Sequence, residues 1–311
     1  MGKRLLLWTF VALLGASSSA TSPLLVSSRY ELVYVDGDAR RVASAGPGTT
    51  GYRLLGAVAD GSVLVAFDEA GFVDVESVSP SLASRTLKTF PRSAAAFIAP
   101  SSDGFLVYDA STQLLRRYDA QGSLAGTPAA PLGARAALGI GEVVVVLGPG
   151  RLDTYDTRGR LQHAVPLDGG DLAALPGARF AVTDTRDGEI RVYTAALQQT
   201  ATLRVSGRPL RALAAGPDGS IGIVTGTPAC GLVSDVEVDV FDDPAASGAP
   251  VRLRTNLPNP VSLTIASDAV YVANAGCRGE DGSIAVFGRD GTPRGTIVNV
   301  GSPSGVLPLA R

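Results

Sequence analysis

Arginine side chains recur where short strands of this chain are predicted to begin. The four positions are Arg53, Arg92, Arg135 and Arg208. If those strands converge on one opening, the guanidinium groups form a site for a carboxylate or phosphate, which guanidinium binds through two parallel hydrogen bonds. The alternative, which we favour, is that each arginine satisfies backbone carbonyls or a neighbouring acid.

Two polar loops carry the other candidate ligand-binding residues. The loops span residues 225–235 and 274–282, and their side chains of interest are Asp235, Asn274, Arg278, Glu280 and Asp281. Carboxylate and amide oxygens are the ligands that Ca²⁺ prefers, so a structural calcium ion is one interpretation. A solvated polar loop is the other, and we favour it. We therefore expect no cofactor.

Acids and histidines suited to catalysis are scarce. Asp171 is the one acid that we place at the start of a predicted inner strand, and we take Asp171 and Asp235 as the candidate metal ligands. Asn259 stands near another strand start, but it precedes Pro260 in a turn-like pair. The single histidine, His163, falls in a predicted outer strand, so a nucleophile paired with a histidine base has little support.

The N-terminal segment predicts export. An apolar run at residues 5–14 follows two basic residues, and small residues up to Ala20 fit a signal-peptidase site. A membrane-spanning helix needs about twenty apolar residues, which neither this run nor any later stretch provides. We expect residues 1–20 to be a leader and residues 21–311 to be periplasmic, secreted or at the cell surface. An uncleaved N-terminal anchor is the alternative.

The only two cysteines are Cys230 and Cys277, one in each polar loop. In an exported protein an even pair predicts a disulfide. Closing a loop of this length would stabilise the fold by about 4 kcal/mol at most. A redox-active thiol pair or a metal site is the alternative, but the chain has no C-x-x-C spacing.

Charge limits the choice of partner. The formal net charge of −2 argues against nucleic acid as the main partner. We expect a monomer whose partner is a protein or a small molecule of unknown identity, with no transmembrane segment once the leader is cleaved.

The elements that position these residues repeat along the chain. Each repeat has an aromatic residue in its third predicted strand. Its positions are 118, 155, 193, 241 and 287, in steps of 37, 38, 48 and 46 residues. Apolar runs such as Val143–Leu147 are typical of strands covered on both faces. Asp-Gly pairs at residues 103–104 and 218–219 predict hairpin turns with positive φ at glycine. A period of about forty residues with four short strands predicts an all-β protein, a β-propeller.

Seven inner strands are predicted. They are Tyr52–Val58, Ala94–Ala99, Ala134–Ile140, Asp171–Leu175, Pro209–Ala215, Val261–Ala266 and Ser304–Ala310. The last has no second strand after it, and the N-terminal strands have no inner strand before them. We therefore predict a seven-bladed β-propeller in which the C-terminal strand completes the N-terminal blade, which removes the exposed edges of an open ring. Six or eight blades is the alternative.

Two phrases resemble the repeats of known propellers. They are Val270–Gly276 followed by Ser283–Phe287, and Leu213–Gly219. Through them the chain resembles the NHL/YVTN (lactonase-like) superfamily of seven-bladed β-propellers. The resemblance implies the fold, while its members include binding scaffolds, lactonases and quinone-dependent enzymes. Lactonases of this type hold a metal at the channel mouth with Glu, Asn and Asp, a set that Asp171 alone does not complete.

One function is expected, and one alternative is kept. We expect an exported, non-catalytic binding or scaffold propeller that uses the loop-rich channel mouth near residues 225–235 and 274–282. The alternative is a lactonase-like, metal-dependent hydrolase with its site at the channel mouth.

Overall fold

The computed structural model describes residues 23–28, 31–36, 39–44, 51–58, 61–127, 130–131, 133–205, 209–228, 235–242, 249–277 and 282–309. Within these residues the chain forms 28 β-strands and one 3₁₀ turn, Arg92–Ala94. The predicted leader, residues 1–20, lies outside the described residues. In the part of the chain that the structure describes, no helix is long and apolar enough to cross a membrane.

The strands are numbered in chain order. The first seven are β1 (Leu24–Ser28), β2 (Glu31–Asp36), β3 (Ala39–Ser44), β4 (Gly51–Ala57), β5 (Val63–Glu69), β6 (Phe72–Val78) and β7 (Ser84–Pro91). The next eight are β8 (Phe97–Ser101), β9 (Gly104–Asp109), β10 (Leu114–Asp119), β11 (Leu124–Gly126), β12 (Ala136–Ile140), β13 (Val143–Gly148), β14 (Arg151–Asp156) and β15 (Leu161–Pro166). Then follow β16 (Gly169–Leu175), β17 (Arg179–Asp184), β18 (Glu189–Thr194), β19 (Gln199–Arg204), β20 (Leu210–Ala215), β21 (Ile221–Thr225), β22 (Glu237–Phe241) and β23 (Val251–Leu253). The last are β24 (Pro260–Ile265), β25 (Ala269–Asn274), β26 (Ser283–Gly288), β27 (Pro293–Val298) and β28 (Pro303–Pro308).

These strands form five four-stranded sheets and one eight-stranded sheet in a propeller-like arrangement. The predicted all-β class is therefore confirmed. The seven predicted inner strands are present within a few residues of their expected bounds. They are β4, β8, β12, β16, β20, β24 and β28.

The C-terminal strand completes the N-terminal sheet. β28 pairs antiparallel with β1, so that Leu307 faces Leu25 and Val306 faces Val26. The strand order of that sheet is β28-β1-β2-β3. The predicted pairing of the two chain ends is confirmed, and it joins segments almost the whole chain apart.

The eight-stranded sheet is where the observed sheets differ from the seven separate blades that the sequence predicts. It consists of β8–β11 and β12–β15, joined through one parallel pairing between Gly139 and Ser101. A Cβ atom at position 139 would collide with the Ser101 hydroxyl. Because glycine has no side chain, the two inner strands approach closely enough to pair. The backbone N–H of Ser102 extends this contact by donating to the Gly139 carbonyl at 3.1 Å.

Second strands are buried on both faces, which explains their unbroken apolar sequences. Val144, Val145 and Val146 of β13 are all fully buried, because adjacent sheets pack face to face. The predicted turn chemistry holds at Gly219, whose φ is +90°. It is wrong at Gly104, which is not among the residues with positive φ. Glycine is needed there because a Cβ atom would meet the Tyr118 carbonyl oxygen.

Candidate functional site

The strands predicted as inner strands contact one another in a continuous series. They contact one another in the order β28, β4, β8, β12, β16, β20 and β24, and β24 contacts β28. In a propeller these strands run in one direction, so all of them start at the same end of the channel. We call that end the mouth. The second strand of each sheet ends there, and the loop after it adjoins the opening.

Four consecutive inner strands carry a β-bulge at the mouth. In β16, β20, β24 and β28 the first residue pairs with the last residue of the neighbouring second strand, but the ladder then resumes one residue late. A bulge sets two residues of one strand against one of its partner and re-aims a side chain. The extra positions carry the residues that we call the bulge arc: Asp171, Arg211, Val261 and Ser304.

Asp171 is held at the mouth by Thr183. Oγ1 of Thr183, a residue 2% exposed, accepts hydrogen bonds from the backbone N–H groups of Gly170 at 3.2 Å and Asp171 at 2.8 Å. Asp171 is exposed to solvent, yet nearby protein atoms reduce the hydration of its carboxyl group. This desolvation raises the pKa of Asp171. No hydrogen bond or ion pair joins its carboxylate to another of the described residues.

Arg211 occupies the corresponding bulge on the next inner strand. It is half-buried, and its Nη1 is enclosed by protein without a hydrogen-bond partner among the described residues. Arg208, the arginine predicted just before this strand, lies outside the described residues. Among the described residues, Arg211 is the arginine at the bulge of this strand.

Ser304 and Val261 continue the bulge arc. The Ser304 hydroxyl lies 3.1 Å from the Ser27 hydroxyl, 3.3 Å from the Ser27 carbonyl oxygen and 3.2 Å from the Tyr52 carbonyl oxygen. This hydroxyl thus connects the strands at the seam where the chain ends meet. Val261 is half-buried and adds an apolar surface between Arg211 and Ser304 around the ring.

Two of the predicted anion-binding arginines share one acid. Nη2 of Arg53 lies 3.5 Å from Oδ2 of Asp68, and Nη1 of Arg92 contacts the other oxygen of the same carboxylate. The arginine side chains are 48% and 54% exposed, whereas that of Asp68 is 14% exposed. Two guanidinium groups against one carboxylate leave a net positive charge beside the opening. Arg53 and Arg92 therefore each contact a neighbouring acid, as the alternative interpretation expected. The single carboxylate of Asp68 does not neutralise both of them.

Two cavities at this side of the channel share a wall. One of about 360 Å³ opens between β4, β24 and β28, and its lining includes Arg53, Val261 and Ser304. The other, of about 420 Å³, shares Tyr52, Arg53 and Ser304 with the first and continues between apolar side chains. Those side chains include Leu55, Ile98, Leu263, Val306 and Leu307. A small molecule with a polar head and an apolar body fits this combination of surfaces.

Arg135 does not join this group. Its Nη1 lies 3.4 Å from Oδ1 of Asp168, in the connection between the sheets of β12 and β16, and both side chains are well exposed. Such an exposed pair contributes little to stability. The structure therefore shows an arginine paired with a neighbouring acid at this position.

The residues predicted in the two polar loops have mainly structural contacts where they are described. Asn274 is 5% exposed, and its Oδ1 accepts a hydrogen bond from the Asn259 backbone N–H at 2.9 Å. Oδ1 of Asp235 accepts a hydrogen bond from the Thr227 N–H at 2.7 Å, which holds the base of the first loop together. The others lie outside the described residues. They are Arg278, Glu280 and Asp281.

Only one of the two cysteines is among the described residues. Cys277 is described and is not a free thiol, whereas Cys230 lies outside the described residues. The pairing of the two therefore stays a prediction.

The described residues include the two candidate metal ligands, Asp171 and Asp235, and the single histidine. They contain no group of three or more histidine, cysteine, aspartate or glutamate side chains suited to a metal ion, so Asp171 and Asp235 are not joined in one. His163 lies exposed on the outer strand β15, as the sequence predicts, and pairs with Thr154 of β14. It is thus remote from the inner strands that form the mouth.

Comparison with known proteins places the fold but not the activity. No family model matches the chain, and no curated protein sequence matches it. The structure is similar to that of a protein from Lactobacillus plantarum, with TM-score 0.66, 13% identity, and coverage of 93% of this chain and 99% of the other. It is also similar to a putative 6-phosphogluconolactonase from Bacteroides uniformis, with TM-score 0.65, 13% identity, and coverage of 92% and 99%. A streptogramin B lyase structure matches with TM-score 0.58, 12% identity, and coverage of 86% and 94%. At these identities the likeness supports a β-propeller fold alone.

Two residues of the bulge arc were not predicted from the sequence. Arg211 and Ser304 were not selected, since they owe their position to bulges that depend on pairing between strands. The Gly169-Gly170-Asp171 run was a usable signal, because a Cβ atom at position 169 would lie 2.8 Å from the Thr183 carbonyl oxygen. Paired glycines before an acid indicate a bulge or a close backbone approach.

Proposed function

We propose that the protein is an exported, non-catalytic β-propeller that binds a small ligand at its mouth. The observation that carries this proposal is the presence of two opposite charges, on Asp171 and Arg211, that neighbouring bulges present without partners among the described residues. Charges left unpaired where several strands begin are candidates for functional positions. The bulge arc, Arg53 and the two cavities would form the ligand surface. The loops at 225–235 and 274–282 would form its rim.

The proposed ring has seven blades and belongs with the NHL/YVTN type. The contacts between the seven inner strands support this count, because each strand contacts the next and the last contacts the first. In this interpretation the eight-stranded sheet is two blades whose inner strands meet at Gly139 and Ser101.

Export and a Cys230–Cys277 disulfide are part of the same proposal. The N-terminal charge and apolar pattern supports export, and an exported chain with two cysteines supports the disulfide. Intact-mass measurement of periplasmic protein, with and without reductant after alkylation, tests both. The proposal requires a chain that begins near residue 21 and takes up alkylating reagent only after reduction. An unprocessed chain with two thiols that react at once would refute it.

Ligand binding is tested with a library of small charged metabolites. We expect at least one compound to raise the melting temperature of the wild-type protein and not that of an Asp171→Asn, Arg211→Gln double variant. A matched control is Glu142→Gln, Arg158→Gln, since both residues are exposed in turns at the opposite end of the ring. If the double variant and the control respond like the wild type, the mouth is not the binding site. Repeating the screen with calcium or chelator tests the proposal that no cofactor is required.

A lactonase-like hydrolase is the second candidate. The structural likeness to a putative 6-phosphogluconolactonase favours it, and Asp171 would have to act at the channel mouth. Lactone hydrolysis that is abolished by chelation and by Asp171→Asn would replace the binding proposal. Hydrolysis no faster than in buffer, with and without added divalent cations, supports binding.

A further inference from the structure

The two unpaired charges at the mouth have opposite sign and lie on adjacent inner strands. β16, which carries Asp171, contacts β20, which carries Arg211. Even so, no ion pair joins the two side chains, and Arg211 keeps a buried Nη1 without a partner among the described residues. An acid and a guanidinium group therefore stand at corresponding bulges of neighbouring strands without forming an ion pair.

Other charges around the mouth behave differently. Asp68 pairs with Arg53 and Arg92, and Asp168 pairs with Arg135. Asp184, at the end of the second strand next to β16, contacts Nη2 of Arg191 at 2.8 Å. Neutralisation by a neighbour is thus common at this end of the ring. Asp171 and Arg211 differ because neither is paired with an opposite charge among the described residues. Both stand at bulges that aim their side chains.

A ligand with a single charge satisfies only half of this arrangement. An anion bound to Arg211 would approach the Asp171 carboxylate, and a cation bound to Asp171 would approach the Arg211 guanidinium. Like charges brought together in a partly desolvated site repel each other strongly. A metal ion would need several oxygen ligands, whereas the described residues provide no group of three or more His, Cys, Asp or Glu side chains that could hold one.

We propose that the mouth binds a small zwitterion, with its ammonium group on Asp171 and its carboxylate on Arg211. Guanidinium and carboxylate form a bidentate pair, and an ammonium group donates up to three hydrogen bonds to carboxylate oxygens. Val261, next along the bulge arc, offers an apolar surface to a side chain between the two charges and Ser304. A free α-amino acid with an aliphatic side chain has this chemistry. The inference rests on the proposed function of the mouth as a small-ligand site and names the ligand class.

Isothermal titration calorimetry with matched probes tests the class. L-Leucine carries both charges, N-acetyl-L-leucine only the negative one and L-leucine amide only the positive one, while all three share the side chain. 4-Aminobutanoate and 6-aminohexanoate carry both charges at greater separations. We expect at least one of the three zwitterions to bind at least tenfold more tightly than either singly charged analogue. Asp171→Asn and Arg211→Gln should each weaken that binding by tenfold or more.

The variants also separate the two charge contacts. In Asp171→Asn the preference for leucine over N-acetyl-leucine should shrink, and in Arg211→Gln the preference for leucine over leucine amide should shrink. Glu142→Gln and Arg158→Gln, at the other end of the ring, should bind like the wild type, and circular dichroism checks that every variant is folded. Singly charged analogues that bind as tightly as every zwitterion, or no binding by any of the five probes, would overturn the zwitterion class. The broader ligand-site proposal fails separately, when no library compound raises the melting temperature of the wild type more than that of the Asp171, Arg211 double variant.

Discussion

Thr183 accepts a hydrogen bond from the backbone N–H of Asp171 at 2.8 Å and thereby fixes the bulge that presents the Asp171 carboxylate. The same hydroxyl accepts a second bond from Gly170. Thr183 itself is almost fully buried. A side chain on the second strand thus substitutes for the ladder bonds that the bulge removes.

Thr183→Val should loosen this arrangement while keeping the shape of the side chain. Two backbone donors lose their acceptor, and a donor that water does not reach costs about 1–3 kcal/mol when left unsatisfied. Denaturant unfolding measures the loss. Thr185→Val is the control, because the Thr185 hydroxyl donates to the Asp168 carbonyl at 2.7 Å on an exposed residue. A Thr183 variant no less stable than the Thr185 variant would show that the bulge does not depend on this hydroxyl.

Asp171→Asn should stabilise the protein at neutral pH. Desolvation raises the pKa of Asp171 in the folded state, so the folded protein disfavours the ionised form. The resulting penalty is absent below the pKa of the unfolded chain, about 3.9. It grows as pH rises and is complete above the raised folded pKa. Melting temperatures should therefore show the variant above the wild type at pH 7 and level with it near pH 3. A lower melting temperature at pH 7 would mean that the carboxylate has a stabilising partner.

Asp109→Asn should have the opposite effect. Oδ1 of Asp109 accepts hydrogen bonds from the Ser111 hydroxyl at 2.6 Å and from the Ser111 N–H at 3.0 Å. The hydrogen bond from the Ser111 side chain makes the largest contribution, and together these bonds lower the pKa of Asp109 to about 2. At pH 7 the loss of the charge-assisted bonds should cost about 1–3 kcal/mol. The greater stability of the wild type is fully present above pH 4 and should disappear as pH falls towards 2.

Unfolding of both proteins across this pH range measures that change. Glu142→Gln removes an exposed acid and should have little effect at any pH. A stability difference at Asp109 that does not depend on pH would point to packing instead of ionisation.

Much of the fold could be predicted because it is encoded in local patterns. The unbroken valine run in β13 indicates a strand covered on both faces, and a repeat of about forty residues fixes four strands for each unit. The pairing of β28 with β1 followed from counting the strands that lacked a neighbour. By contrast, the contact between Gly139 and Ser101 depends on how close two sheets come, and a repeat pattern does not contain that distance.

The site was less predictable for a related reason. Arg53 was found because it lies near a strand start, but the sequence did not show that Asp68 binds both Arg53 and Arg92. Arg211 was not predicted, since a bulge changes the direction of side chains and is defined only by its partner strand.

Removal of β28 should prevent cooperative folding. This strand supplies the inner strand of the N-terminal sheet and also contacts β24 and β4, so deleting residues 303–311 would expose the edge of β1 and the apolar surface around Val26 and Val306. Open edges of this kind promote association between chains. We expect the truncated protein to lack a sharp thermal transition and to elute as aggregates in size-exclusion chromatography. Ser304→Ala, which removes only a hydroxyl group from the same strand, should remain a folded protein in both measurements. A truncated chain that elutes like the wild type and melts at the same temperature would show that the ring does not need this closure.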